Sequence, residues 1–559
     1  MTKITHPLQA ALWAGLFSAV AIAPAFAGFS VNGGTSLTGV VTGTATGNDT
    51  VAGSGTFVGA YVQNSANTSG KPTINIAAGS SITNPGTQGW FANTTLNTDI
   101  YYHQGLVEFN QGTFTNLGTI SCTHTGLTAG ATEVTLDTFI HAMPTGSNRS
   151  YYSGDGVLAW DYNAGSNGTT TIINGSSTNA TAAITSVVTS NANVIANGIY
   201  AFARYGSSSS TNIYIHNYGK VKGEAQNVNS TATGINAYCN YGGLVINNNN
   251  PGGTATAIAR YYTTGINGYT NFGNVTAANY GSVVATSSGD SSGISYAVGE
   301  DLFSYSGNAS FRTTGSVSAT SAGTGVNTAY GFFGWAQGVS GTGGKMDLYN
   351  SGTITATSSS TGDAKAVYCG GNGGDVTVTN NGTISGVGGS GGGWGLGLEE
   401  DTGKTMTITN NGTIKHNNGL GLFLYDTYGG TANITHNAGA LIYGGNEGIA
   451  GESYKGKITI DCYGDVTTSS SANNAMSLGA NDDTVRVYGL PTITGTMNGR
   501  AGTNSLVFQL TGTLQTVNGV AATSGGALSS YTLGTSGTIV VSGKTYKWAN
   551  FNVTGTVTP

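Results

Sequence analysis

Apolar and polar residues alternate along most of this chain in short bursts, each closed by Gly, Asn or Ser. Near residue 375, Val376, Val378 and Ile384 alternate with Thr377, Thr379 and Thr383, the period of two that marks a strand with one buried face. The bursts are joined by a recurring phrase: Asn, any residue, Gly, any residue, then a β-branched residue. It occurs at Asn116-Leu117-Gly118-Thr119-Ile120, Asn217-Tyr218-Gly219-Lys220-Val221, Asn271-Phe272-Gly273-Asn274-Val275, Asn279-Tyr280-Gly281-Ser282-Val283, Asn350-Ser351-Gly352-Thr353-Ile354, Asn380-Asn381-Gly382-Thr383-Ile384 and Asn410-Asn411-Gly412-Thr413-Ile414, with a weaker copy at Asn437-Ala438-Gly439-Ala440-Leu441.

From Gly281 the anchor glycines stand at 281, 315, 352, 382, 412, 439 and 464, a period that marks a stacked repeat. Each unit reads as two or three short strands. The Asn-x-Gly between them is expected to be a corner, because Gly tolerates positive φ and Asn bonds its local backbone. One unit cannot bury its apolar side alone, whereas stacked parallel units bury a continuous column of Ile, Val and Leu. The predicted fold is all-β, a right-handed parallel β-helix of roughly 15 to 18 turns and about 70 to 85 Å, at ~4.8 Å per turn. Corner asparagines on successive turns are expected to form a hydrogen-bonded ladder.

Composition narrows the function classes. Of 559 residues 92 are Gly and 8 Pro, and only 8% are charged, so long helices lack the residues that solvate them. All-α and Rossmann-like enzymes are thereby excluded. Disorder is excluded too, since 38% of residues are hydrophobic, with 29 Tyr, 17 Phe and 6 Trp. A net charge of −6, with 18 Lys and Arg spread along the chain, offers no basic stripe for phosphates, so no nucleic-acid partner is expected and anionic membrane surfaces are disfavoured. No cofactor motif is present.

Lys3 and His6 precede an apolar run from Ala10 to Ala23, and Ala25-Phe26-Ala27 supplies small residues for signal cleavage before Gly28. Residues 1–27 are therefore read as a signal peptide, 28–490 as the β-helix and 491–559 as a β-rich cap. The mature protein is expected to be exported, extracellular or on the outer cell surface. Cys239 and Cys369 are read at the same place in two similar segments, so they should be rungs apart, and Cys122 and Cys462 lie near opposite ends. Four buried thiols without a bridge are predicted.

The Asn-x-Gly-x-Ile/Val units, each trailed by Ser/Thr-rich text such as Ala356-Thr357-Ser358 and a restart such as Gly293-Ile294 or Gly325-Val326, resemble the passenger domains of bacterial autotransporters and related secreted β-helix adhesins. The resemblance covers most of residues 70 to 490. It implies an exported bacterial surface protein. The family ends in an outer-membrane barrel, but the text after Asp482-Asp483-Thr484 lacks successive ten-residue strands with aromatic girdles, so a cap is expected there instead.

Candidate chemistry is sparse. Glu399-Glu400-Asp401, near Trp394, is the densest acidic cluster; it is expected to be a solvated loop, with a sugar-cleaving role as the alternative. Asp482 and Asp483 are expected to form a local turn, with Ca²⁺ ligation as the alternative. His216 and His436 are expected to be rung-surface residues. Tyr261-Tyr262 with Tyr269, Tyr151-Tyr152, and Phe332-Phe333 with Trp335 are read as loop aromatics that contact a ligand or pack on the rod. Trp394, Tyr261, Tyr262 and Trp335 are the ligand-binding candidates.

The leading functional expectation is a non-enzymatic protein of adhesion or extracellular matrix. Its partners would be host or cell-surface glycans or proteins, with a separate outer-membrane protein for export or anchoring. A secreted polysaccharide lyase or hydrolase is the alternative. The irregular repeat steps disfavour an ice-binding solenoid, which needs regular turns.

Overall fold

The computed structural model describes the chain almost continuously from 169 to 559, omitting 190–194, 204–210, 251, 339–342, 360–361, 390–391, 402, 427 and 523–526; before 169 it describes separate stretches only. The signal peptide expected at 1–27 lies outside the described residues, as do the side chains of Tyr151 and Tyr152.

The chain is a right-handed parallel β-helix with three faces. One turn runs along face A (Val376–Asn380), corners into face C (Thr383–Val387), crosses face B (Gly393–Glu400) and returns to face A one rung on (Thr405–Asn410). Register is direct: Val378 lies against Ile408, Ile384 against Ile414 and Leu396 against Leu422. Face A holds 17 strands, a rod of about 77 Å at ~4.8 Å per rung, within the predicted range. The inward residues form the expected apolar columns, all buried. No helix of the described residues is long and apolar enough to cross a membrane.

Corner asparagines form the expected ladder. Asn116, Asn174, Asn217, Asn248 and Asn279 are joined Nδ2 to Oδ1 at 2.8 Å, as are Asn350, Asn380 and Asn410, and every one is fully buried. The corner glycines have a different cause from the one expected. Gly281, Gly315, Gly352, Gly382 and Gly412 do not have positive φ. A Cβ on Gly382 would overlap the carbonyl oxygen of Gly352 on the rung below, so the requirement is close stacking. Only Gly439, at φ 80°, matches the turn geometry predicted.

Four sequence readings are corrected by register. Asn271 ends a face B strand, Tyr262–Phe272, and so belongs to the corner entering face A. His436, not Asn437, aligns with Asn410. It is a buried ladder member, its Nδ1 accepting from Asn410 Nδ2 at 3.1 Å and its Nε2–H donating to the Asp465 carbonyl at 2.9 Å. That arrangement needs a neutral ring, and burial lowers its pKa. Gly293 and Gly325 lie outside the strands, and Val326 is 64% exposed; the repeated face B glycines are instead those such as Gly265 and Gly299. His216, by contrast, is half-buried on the rung surface as expected.

All four cysteines are buried thiols. Cys369 aligns through Gly334, Leu302 and Gly268 with Ala237, two residues before Cys239. The two are thus four rungs apart, about 19 Å at ~4.8 Å per rung, beyond disulfide reach.

The coil also runs past 490. Ser505–Thr511 and Asn552–Thr558 add the last strands of face A, while Leu514–Val517, Val520–Ala521, Ser536–Val541 and Lys544–Ala549 form the antiparallel layer that closes the end. The cap therefore starts near Leu514 and is woven into the final rung.

The irregular repeat lengths leave face C untouched. Ser282, Ser316, Thr353 and Thr383 follow one another in unbroken register, as do Val283, Val317, Ile354 and Ile384 beneath them. The extra residues lie in the connections between faces, so step length gives no argument against a regular surface.

Candidate functional site

Face B carries the site, because its strands are the longest and the same short phrase recurs in most of them. In Thr264-Gly265-Ile266, Val298-Gly299-Glu300, Tyr330-Gly331-Phe332 and Trp394-Gly395-Leu396 the residue after Gly faces the core and the one before it faces out. A Cβ on Gly299 would meet the Gly331 carbonyl oxygen and a Val317 methyl of face C, so face B lies close on face C at this column, where Ala366 is the one larger residue between Gly331 and Gly395. Outward residues of the same strands then stand over a rigid floor.

All four aromatic candidates converge on this face, three of them within strands and Tyr261 in the short corner before one. Tyr262, Trp335 and Trp394 lie in the strands Tyr262–Phe272, Asn327–Ala336 and Gly393–Glu400, with Tyr261 just before the first. Tyr262, Val298 and Phe333 form a buried cluster, and Tyr261, Tyr296, Tyr330, Trp335 and Tyr368 pack over it. Tyr262 is only 3% exposed, so it supports the surface from beneath. Trp335 stacks on Tyr368 (6.2 Å, 13°), Tyr368 meets Trp394 (5.9 Å), and Trp394 stacks on Phe423 (5.1 Å, 25°). Tyr269 lies in the column of Trp335, two rungs earlier, stacked between Tyr238 and Phe303 at 5.0 Å on either side. Phe332, grouped with Trp335 in the sequence reading, faces the core and stacks on Phe311 at 4.4 Å.

The strip holds one ammonium of its own. Lys365 Nζ sits 4.8 Å from the Trp394 ring centre and 5.2 Å from that of Tyr330, donates to the Tyr330 hydroxyl at 3.2 Å, and lies 3.8 Å from Asp363.

The acidic cluster is not a solvated loop. Glu399 and Glu400 end a face B strand and point to opposite sides of it. Glu399 faces out, half-buried, in register with Gly370 and Tyr425, and burial, then Asp401, pushes its pKa up to about 7. Glu400 is fully buried and accepts from the Lys404 N–H at 2.8 Å. The two do not form a facing pair across a cleft. Asp483 is also buried, accepting from the Ile458 N–H at 2.7 Å, and burial pushes its pKa up to about 6; Asp482 accepts from the Thr503 N–H at 2.6 Å. Both tie neighbouring rungs together, and no group of three or more His, Cys, Asp or Glu converges among the described residues.

Sequence reading missed Lys365, Tyr368, Phe423 and a buried acidic pair, Glu300 and Asp301. Aligning on the Gly column finds Phe423, whereas the strand of Lys365 and Tyr368 has Ala366 at that column and falls beside Trp335 and Trp394 only through its pairing. Glu300 occupies an inward position between Ile266 and Phe332, and neither of its carboxyl oxygens has a hydrogen-bond partner. Asp301 faces outward, 3% exposed, with Oδ1 likewise unpartnered. Burial raises both well above the usual carboxyl range.

Comparison of the chain with protein-family models, curated proteins and solved structures finds no match.

Proposed function

We propose that this protein is an exported, non-enzymatic surface or matrix component that holds cell-surface glycans along the outward aromatic strip of face B. The observation that carries the reading is the convergence of Trp335, Tyr368, Trp394 and Phe423 on one face across four rungs. Half-buried rings on a rigid sheet lose little side-chain freedom on binding, and amphipathic aromatics are the residues that pack on the apolar faces of sugars. The export signal read from the sequence and the resemblance to secreted β-helix adhesins place the strip outside the cell in this reading.

Two measurements test it. Protease treatment of intact cells should remove the protein from the surface, with little of it free in the medium. Purified protein should bind surface polysaccharide from those cells, and Trp335→Ala with Trp394→Ala should weaken binding at least tenfold while the far-ultraviolet spectrum is unchanged. Binding that survives the double substitution overturns the reading. Release of soluble sugar fragments that stops when Glu399, Glu400 and Asp401 become Ala would favour the lyase or hydrolase alternative.

Face C supports a second reading, ice binding. Thr254, Ser282, Ser316, Thr353 and Thr383 form one outward column, with Thr256, Val284, Ser318 and Thr355 in the next and Ile258, Thr286, Thr320 and Thr357 in a third. From Thr254 to Thr383 these columns carry no charge, with Lys220, Lys222 and Glu224 adjoining them on the rung before, and the stiff χ1 of Thr keeps its methyls and hydroxyls in place. Thermal hysteresis of purified protein tests it; a solution that freezes like buffer removes it.

A further inference from the structure

The chemistry of the face B strip narrows its ligand. Its aromatic rings are interspersed with carboxyl groups, and the strands Tyr262–Phe272, Ser295–Ser304 and Asn327–Ala336 contain no Lys, Arg or His. On the next two strands, Asp363–Gly371 and Gly393–Glu400, the only cation is Lys365. That lysine shows what the surface accommodates: an ammonium between two aromatic rings, a tyrosine hydroxyl and a carboxylate.

One outward carboxyl on the same face stands in register beside aromatic residues. Glu399 is half-buried and outward, and no salt bridge among the described residues reaches it. Its neighbour one rung back is Gly370, where the Trp335 ring fills the space a side chain would take; its neighbour one rung on is Tyr425. Asp401 is adjacent in sequence, and Tyr425 in turn lies against Phe423. A carboxylate set among aromatic rings repels anions and gains little from a neutral hydroxyl, but it pairs with an ammonium that the rings also favour.

We propose that Glu399, with Trp335 and Tyr425, receives the free ammonium group of an amino sugar, so that the glycans bound by face B are polymers bearing unacetylated amines. This rests on the glycan reading above. Neutral parts of such a chain lie on the aromatic strip, while Glu399 supplies the selection for amine. The contact strengthens the ionised form of Glu399 and weakens as salt is raised.

The test compares two probes of equal length, a β-1,4-linked glucosamine oligomer and its fully N-acetylated counterpart, against full-length protein. The glucosamine oligomer is expected to bind at least tenfold more tightly, with the margin shrinking at high salt. Glu399→Gln, which keeps shape, should bring the two within about twofold by weakening only the amine form. Trp335→Ala with Trp394→Ala should weaken both. Equal binding of the two probes by the unaltered protein, or a preference that survives Glu399→Gln, overturns the assignment to Glu399 while leaving the glycan reading intact. If neither oligomer binds, the amine inference fails, and the surface-polysaccharide assay decides the broader reading separately.

Discussion

Asn380 and Asn410 occupy the same corner one rung apart, and the amide of Asn380 donates to Asn410 Oδ1 at 2.8 Å with both side chains wholly buried. The second N–H of Asn380 goes to the Thr413 carbonyl at 3.2 Å, and its own Oδ1 accepts from Asn350 and from the Gly382 backbone. Each ladder residue thus satisfies its own corner and the next. That accounts for a buried column of amides inside an otherwise apolar rod.

Asn380→Ala should therefore leave one N–H of the Asn350 amide and the Gly382 N–H without acceptors. At about 1–3 kcal/mol for each buried group stranded, a loss of roughly 3 kcal/mol is expected. The midpoint and slope of urea unfolding measure it; a change below about 0.5 kcal/mol would show that water replaces the amide.

Corner glycines should separate into two kinds. In Gly382→Ala the new methyl overlaps the Gly352 backbone, so neighbouring rungs must part, and a cost above about 2 kcal/mol is expected. In Gly439→Ala nothing lies within 4 Å of the new methyl, and only the φ of 80° is strained, at about 1–2 kcal/mol. Thermal melts of the two variants rank them, and the reverse order would remove close stacking as the cause.

Glu300 should make the rod sensitive to alkali. Its native pKa is raised by burial, so the folded protein keeps a proton that the unfolded chain gives up near pH ~4.3. Stability from this group is complete below that pH and declines above it toward the native pKa, by about 1.4 kcal/mol per pH unit. Asp301 adds a slope of the same sign. Glu300→Leu should flatten part of the decline and stabilise the protein at pH 8. Unfolding curves from pH 5 to 8 that are parallel for variant and parent would contradict a buried, protonated acid.

Removing residues 514–559 should expose the strand Ser505–Thr511, which otherwise pairs with Asn552–Thr558, and uncover the end of the apolar columns. Light scattering after size exclusion should then report oligomers where the full chain is monodisperse. A monomeric truncated chain would mean that the rung at 505–511 is stable as an edge.

The architecture was legible in the residues because it is a local property repeated many times. Alternation of period two, closed by Asn-x-Gly, names strand and corner within one unit, and recurrence implies stacking, since no single unit buries its apolar side. The Asn ladder followed for the same reason. Other features depend on alignment between units of unequal length, which no local pattern carries. Register moved His436 into the ladder, Asn271 to another corner and Cys369 out of line with Cys239. It buried Glu400 and Glu300 while leaving Glu399 at the surface. It also gathered Trp335 and Trp394, 59 positions apart in the chain, onto one side of the same sheet. In a parallel coil the spatial neighbour of a residue lies a whole turn away, and the length of each turn is set by loops that leave no mark on the strands. Sequence therefore determined the kind of fold, and tertiary register decided which side chains share a surface.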